Sequence, residues 1–226
     1  MNFTEADIEK LDRIFRLNLI NAVTGIKPAN LIGTISSVGE KNLAIFSSVI
    51  HLGSNPPLIG FIVRPSDEVP RHTFENIREN GSYTINHVHR EFIERAHYTS
   101  AKFDRAVSEF EACSLNEEYA GDFPAPFVKE SRLKLGMQLE QELPIALNGT
   151  ILMIGSVKLA IVPDEIISDE GYLNLAKVDD VGISGLSSYY ALKKIADFPY
   201  ARVEQLPDFS KKNEKTAFAD QNLSDV

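Results

Sequence analysis

The stretch Asn42-Leu43-Ala44-Ile45-Phe46-Ser47-Ser48 decides how this chain is read, together with the apolar run Pro57 to Val63, Arg71-His72-Thr73-Phe74-Glu75-Asn76-Ile77 and Ser82-Tyr83-Thr84-Ile85-Asn86. The order predicts strand, strand, short helix, strand. Leu58 to Val63 suits a buried strand and is too short for a helix. His72 to Glu79 reads as a helix closed by Asn80-Gly81, a C-terminal stop. The segment gathers small hydroxyls, an arginine and a helix start within a few dozen residues, and these are the parts that hold a phosphate monoester. A helix start offers free N–H groups and a positive dipole end. A guanidinium offers a planar fork matched to phosphate oxygens. Each part also has a plainer reading: incidental serines on a surface strand, and Thr73 capping the helix beside a solvated Arg71. In a flat strand Ser47 and Ser48 face opposite sides, and only a bulge presents both to one anion.

Outward from this segment, Asn30 to Val38 and Leu43 to Ile50 read as a hairpin around the turn Gly39-Glu40-Lys41-Asn42. Arg64 to Pro70 is a loop with two prolines. Val128 to Glu142 holds a strand alternating through Leu133, Leu135, Met137 and Leu139, and Thr150 to Val162 reads as a strand pair interrupted at Gly155. Thr4 to Leu19 reads as one helix, with Thr4 as N-cap, Asp7 at the third helical position and an apolar repeat through Ile8, Leu11, Phe15 and Leu19. Glu91 to Ala112 is helical or looped, and Tyr189 to Ile195 reads as a helical turn reached through Val181-Gly182-Ile183-Ser184-Gly185. Three parts follow: an N-terminal helical extension over 1–24, a main domain over 25–206 and a flexible polar tail over 207–226. The fold class is mainly β with helical insertions. Antiparallel hairpins closing into a whole or half-open barrel remove the sheet edges.

The chain has 226 residues, enough to bury a sizeable core, and a net charge of −9. That charge argues against a nucleic-acid or anionic-membrane binder, whose phosphates need clustered Lys and Arg. It leaves room for one local basic pocket. One cysteine, Cys113, allows no internal disulfide. The polar start lacks the pattern of a signal peptide, and no run approaches the roughly 20 apolar residues of a membrane helix. A soluble, cytoplasmic protein is the expectation.

No nucleophile elbow, Walker lysine loop or Rossmann glycine set is present. His87 and His89 would share one face of a strand, but no carboxylate or cysteine at usual spacing completes a metal site. Neither a metal nor a catalytic side chain is expected.

Taken together, Asn42-Leu43-Ala44 with Ser47-Ser48, Pro56-Pro57, Arg71-His72-Thr73 with Asn76-Ile77, and Ile85-Asn86 resemble the flavin reductase-like family of FMN-binding split barrels, which includes the flavoredoxins. Ser108-Glu109-Phe110 and Val128-Lys129-Glu130-Ser131 are similar to its middle segment, so the resemblance spans roughly residues 25 to 200. His72 stands where the family often has Asp. The resemblance implies that Ser47, Ser48, Arg71 and Thr73 hold the FMN phosphate, and that Asn42, Leu43 and Ala44 lie along the ring and ribityl chain. It implies that Gly185 and Tyr189-Tyr190 approach the ring from the same or the partner subunit of a homodimer. The implied activity is hydride transfer from NADH or NADPH through FMN to flavin or another acceptor, with no side-chain acid or base required. A non-catalytic FMN carrier serving a partner protein is the alternative.

Overall fold

Seven antiparallel strands form the main sheet of this computed structural model, which describes residues 1–65 and 70–209. The middle of the Arg64–Pro70 loop and residues 210–226 of the expected tail lie outside the described residues. The strands are β2 (Asn30–Ile35), β3 (Lys41–Phe46), β4 (Ile50–Ser54), β5 (Pro57–Val63), β6 (Ser82–His87), β9 (Lys134–Ile145) and β10 (Thr150–Ile161). Their spatial order is β3-β2-β6-β9-β10-β5-β4.

That order dictates the shape. β3 and β4 occupy opposite edges, yet only Ser47, Ser48 and Val49 join them. A flat seven-stranded sheet would hold its edge strands about 29 Å apart. A three-residue link reaches at most about 15 Å. The sheet therefore curls until its edges approach, and the link crosses the split. Ser48 fastens this seam: its hydroxyl accepts from the Ile62 amide at 3.0 Å and donates to the Ile62 carbonyl at 3.3 Å.

Alternation along the strands then sorts the apolar residues. Ile32, Phe61, Val63, Tyr83, Ile85, Met137 and Met153 fill one cluster, which α3 (His72–Asn80) closes with Phe74 and Ile77. Gly155 admits the Tyr83 ring, since a Cβ there would meet the phenol oxygen at 2.2 Å. The pairing shifts at this glycine, so Thr150–Ile161 is one bulged strand and not the interrupted pair that the sequence suggested.

Leu31 and Leu43 belong to a second cluster. There an insertion carrying α4 (Ile93–Tyr98) and α5 (Glu109–Ala112) packs Phe92, Ala96, Phe110 and Cys113 against them. The three-stranded sheet β1 (Lys27–Pro28), β11 (Val181–Ser184), β12 (Ser188–Ala191) adds Val181 and Ile183 to that cluster. The pair β7 (Glu117–Glu118) and β8 (Phe127–Val128) completes the strands.

Two expectations are corrected. Tyr189 to Ile195 is not a helical turn: Gly185, at φ 61°, reverses the chain and Ser188–Ala191 pairs with β11. The N-terminal helix is two helices, α1 (Glu5–Lys10) and α2 (Arg13–Ala22). Thr4 and Asp7 form the expected capping box. The Asp12 carboxylate then takes the amides of Ile14 and Phe15 at 2.8 and 3.2 Å and starts a new helix. Neither helix has a buried residue. From Lys194 onward the chain is a separate unit, exposed at every described position.

Candidate functional site

Three expected residues, Asn42, Arg71 and Thr73, lie around β3 and the start of α3. Asn42 and Thr73 meet directly, with Asn42 Nδ2 donating to Thr73 Oγ1 at 2.9 Å, and both are buried. Arg71 is the N-cap of α3, and its Nε donates to the Pro65 carbonyl at 3.2 Å, just past the end of β5. Ser47 begins the link that crosses the seam. Its hydroxyl has no hydrogen-bond partner among the described residues.

Thr73 does not cap the helix. No side chain caps α3, so its first amides keep their donors. Burial lowers the pKa of Arg71, and the nearby Arg64 charge lowers it further. Among the described residues neither arginine has a carboxylate within ion-pair range. The uncapped amides of a helix start and a nearby guanidinium are donors of the kind an anion takes.

Other expected residues take different roles. Ser48 is engaged with Ile62 across the seam, so its hydroxyl ties the barrel. Ser48→Ala is expected to lower unfolding free energy by about 1–3 kcal/mol, because the Ile62 amide loses its partner. Urea unfolding measures this, and an unchanged midpoint would contradict it. Leu43 lies wholly inside the outer cluster, and its amide donates to Glu109 Oε2 at 2.9 Å. Neither its side chain nor its N–H is free for a ring. Strand geometry turns alternate residues' backbone groups to alternate sides, so half-buried Ala44 points its amide at β2 and Ile45 points to the edge.

Gly185 sits in the β11–β12 turn, where its carbonyl accepts from Lys27 Nζ at 3.5 Å. Tyr189 packs half-buried against the outer cluster, with its hydroxyl 3.1 Å from His97 Nδ1, and desolvation pushes its pKa up to about 12. Tyr190 faces the other way and is exposed.

Sequence reasoning missed Glu109, Thr34, Arg64 and Arg105. Glu109 is buried, and desolvation raises its pKa against the pull of the Leu43 amide. The fold therefore favours the protonated form. That contribution is full below the ordinary glutamate range and is lost as pH rises through the raised value. Glu109→Gln keeps an acceptor for Leu43 and cannot ionise. Its stability relative to wild type is expected to improve as pH rises through that window, in urea unfolding at a series of pH values. A constant difference at every pH would contradict this.

Among the described residues no group of three His, Cys, Asp or Glu could hold a metal. His87 instead pairs with Asp180 at 2.8 Å. A hollow lined by Tyr98, Phe103 and Cys113 contains none of the expected site residues. No described helix is long and apolar enough to cross a membrane.

A curled antiparallel sheet left open at a seam, with helical insertions, is a split β-barrel. Residues 26–176 match the flavin reductase like domain, and the chain belongs to that family. A flavin reductase with a split barrel domain from Shewanella frigidimarina, described as putative, is 50% identical, with TM-score 0.85 over 89% of this chain and 100% of that one. A flavoredoxin of Desulfovibrio vulgaris shares the fold at 21% identity and TM-score 0.67, covering 78% of this chain and 92% of that one. An FMN-binding protein from Thermus thermophilus does so at 14% identity and TM-score 0.63, covering 77% and 91%. Flavin-linked oxidoreduction is the function class this membership defines.

Proposed function

We propose that the protein binds FMN and passes reducing equivalents from NADH or NADPH to free flavin or another acceptor, as a cytoplasmic homodimer. The observation that carries the reading is the pair Arg64 and Arg71, without carboxylates among the described residues, at the uncapped start of α3. The donor set fits a phosphate monoester. The helix amides, the Arg71 guanidinium, the Thr73 hydroxyl and the Ser47 hydroxyl each have a proton to give. The Ile45 edge of β3 would border the ribityl chain. When bound, FMN supplies the hydride-accepting ring, and the protein supplies grip and orientation. Gly185 and Tyr189-Tyr190 would approach the ring.

The second copy is supported by α2, which leaves Ile14, Phe15, Leu17 and Ile20 in solvent. A ten-residue helix is marginal alone, and clustered apolar residues mark an interface. Light scattering should return twice the chain mass; a monomer would contradict the assembly. Activity is tested by steady-state NADH and NADPH oxidation with added FMN. Turnover with either donor supports the reductase. No turnover with both, alongside rapid reduction of the bound flavin by a partner protein, would replace it with the electron carrier.

A further inference from the structure

We propose that Thr34, Asn42, Asn76 and Arg105 are positioning residues that aim the Thr73 hydroxyl proton at the flavin phosphate. This rests on the phosphate site proposed above. Arg105 comes from the loop between α4 and α5. Its Nη2 donates to Asn76 Oδ1 at 3.1 Å, its Nε bonds Glu40 at 3.1 Å and its Nη1 bonds Glu75.

A guanidinium only donates, so the Asn76 atom facing it is the oxygen. That choice turns Asn76 Nδ2 to Thr34 Oγ1, at 3.1 Å. Asn42 Nδ2 reaches the same Thr34 oxygen at 3.4 Å and the Thr73 oxygen at 2.9 Å. The Thr73 oxygen is thereby an acceptor, and its own proton has no acceptor among the described residues.

Thr34, Asn42, Thr73 and Asn76 are all at least nine-tenths buried, so water competes little for these bonds. The bonds converge on Thr34: the Asn76 amide, held by the partly exposed guanidinium, and the Asn42 amide both donate to its oxygen, and Asn42 also donates to Thr73 in the first turn of α3 beside Arg71. A hydroxyl held with its proton outward there is a ready charge-assisted donor to a phosphate oxygen.

A network that only glued α3 to the barrel would treat all flavins alike. Riboflavin, which lacks the phosphate, separates the two roles. Fluorescence titration of the full-length protein with FMN and with riboflavin is the test. Thr73→Val should lose about tenfold or more in FMN affinity, and Asn42→Leu and Arg105→Gln about fivefold each. Riboflavin affinity should not move in Thr73→Val or Arg105→Gln, and Arg105→Lys should recover part of the Arg105→Gln loss. FMN and riboflavin affinities falling together, or FMN affinity unchanged in Arg105→Gln, would overturn the proposal. Arg105 is partly exposed, so its variants carry the test if Asn42→Leu does not fold. A wild-type protein that binds both flavins equally would instead remove the phosphate site itself.

Discussion

Arg71→Ala is expected to weaken FMN binding by about 1.5–3 kcal/mol, the scale of a hydrogen bond to a charged group. That is roughly a ten- to 150-fold rise in Kd. The Arg71 side chain is half-buried, and Nε is held by the Pro65 carbonyl. The guanidinium therefore needs little ordering on binding, and its remaining N–H groups are available. Arg64 is exposed and its charge already opposes that of Arg71. Losing Arg71 relieves that repulsion without replacing the fork, so Arg64 should not compensate. Calorimetric titration reads the change. The affinity should become less salt-dependent as well, since one cation fewer faces the phosphate. Unchanged FMN affinity would mean that the anchor is another group.

Phe61→Ala is expected to cost about 3–5 kcal/mol of unfolding free energy. Phe61 is fully buried in the barrel cluster, where its ring meets Phe46 at 5.1 Å and Tyr83 at 5.5 Å, both edge-on. Phe46 is the last residue of β3 and Phe61 lies beside Ile62, the residue that Ser48 fastens. The cavity would open next to the seam, where the sheet has no further strand pair to hold it. Urea unfolding measures the loss. A change under about 1 kcal/mol would mean that the site collapses freely or that the ring is not enclosed.

The hairpin β2–β3, the strand β5 and the helix α3 were legible because their signals are local. These are alternation, a short apolar run, and a glycine stop in which Gly81 takes φ 73°. The Thr4–Asp7 capping box was legible for the same reason. What the sequence left hidden falls where a distant partner decides. Nothing nearby in sequence reveals that Ser48 bonds Ile62 across the seam. Thr73 looked like a cap, but its oxygen is taken by Asn42, 31 positions away. The burial of Leu43 comes from the insertion, far from it in sequence. Tyr189 to Ile195 read as a helical turn, while the reversal at Gly185 made Ser188–Ala191 a strand. Asp12 split the first helix although the apolar repeat runs straight through it. Arg105 carried no signal of its own, since a charged residue in an irregular insertion reads as solvated surface.

The proposed anion site lies where the barrel seam meets the start of α3. A crystal structure of the protein with FMN tests it most directly. The phosphate is expected within hydrogen-bond distance of the Arg71 guanidinium, the Thr73 hydroxyl and the first amides of α3, with Ser47 alongside. A phosphate seated elsewhere, with Arg71 turned to bulk solvent, would contradict it.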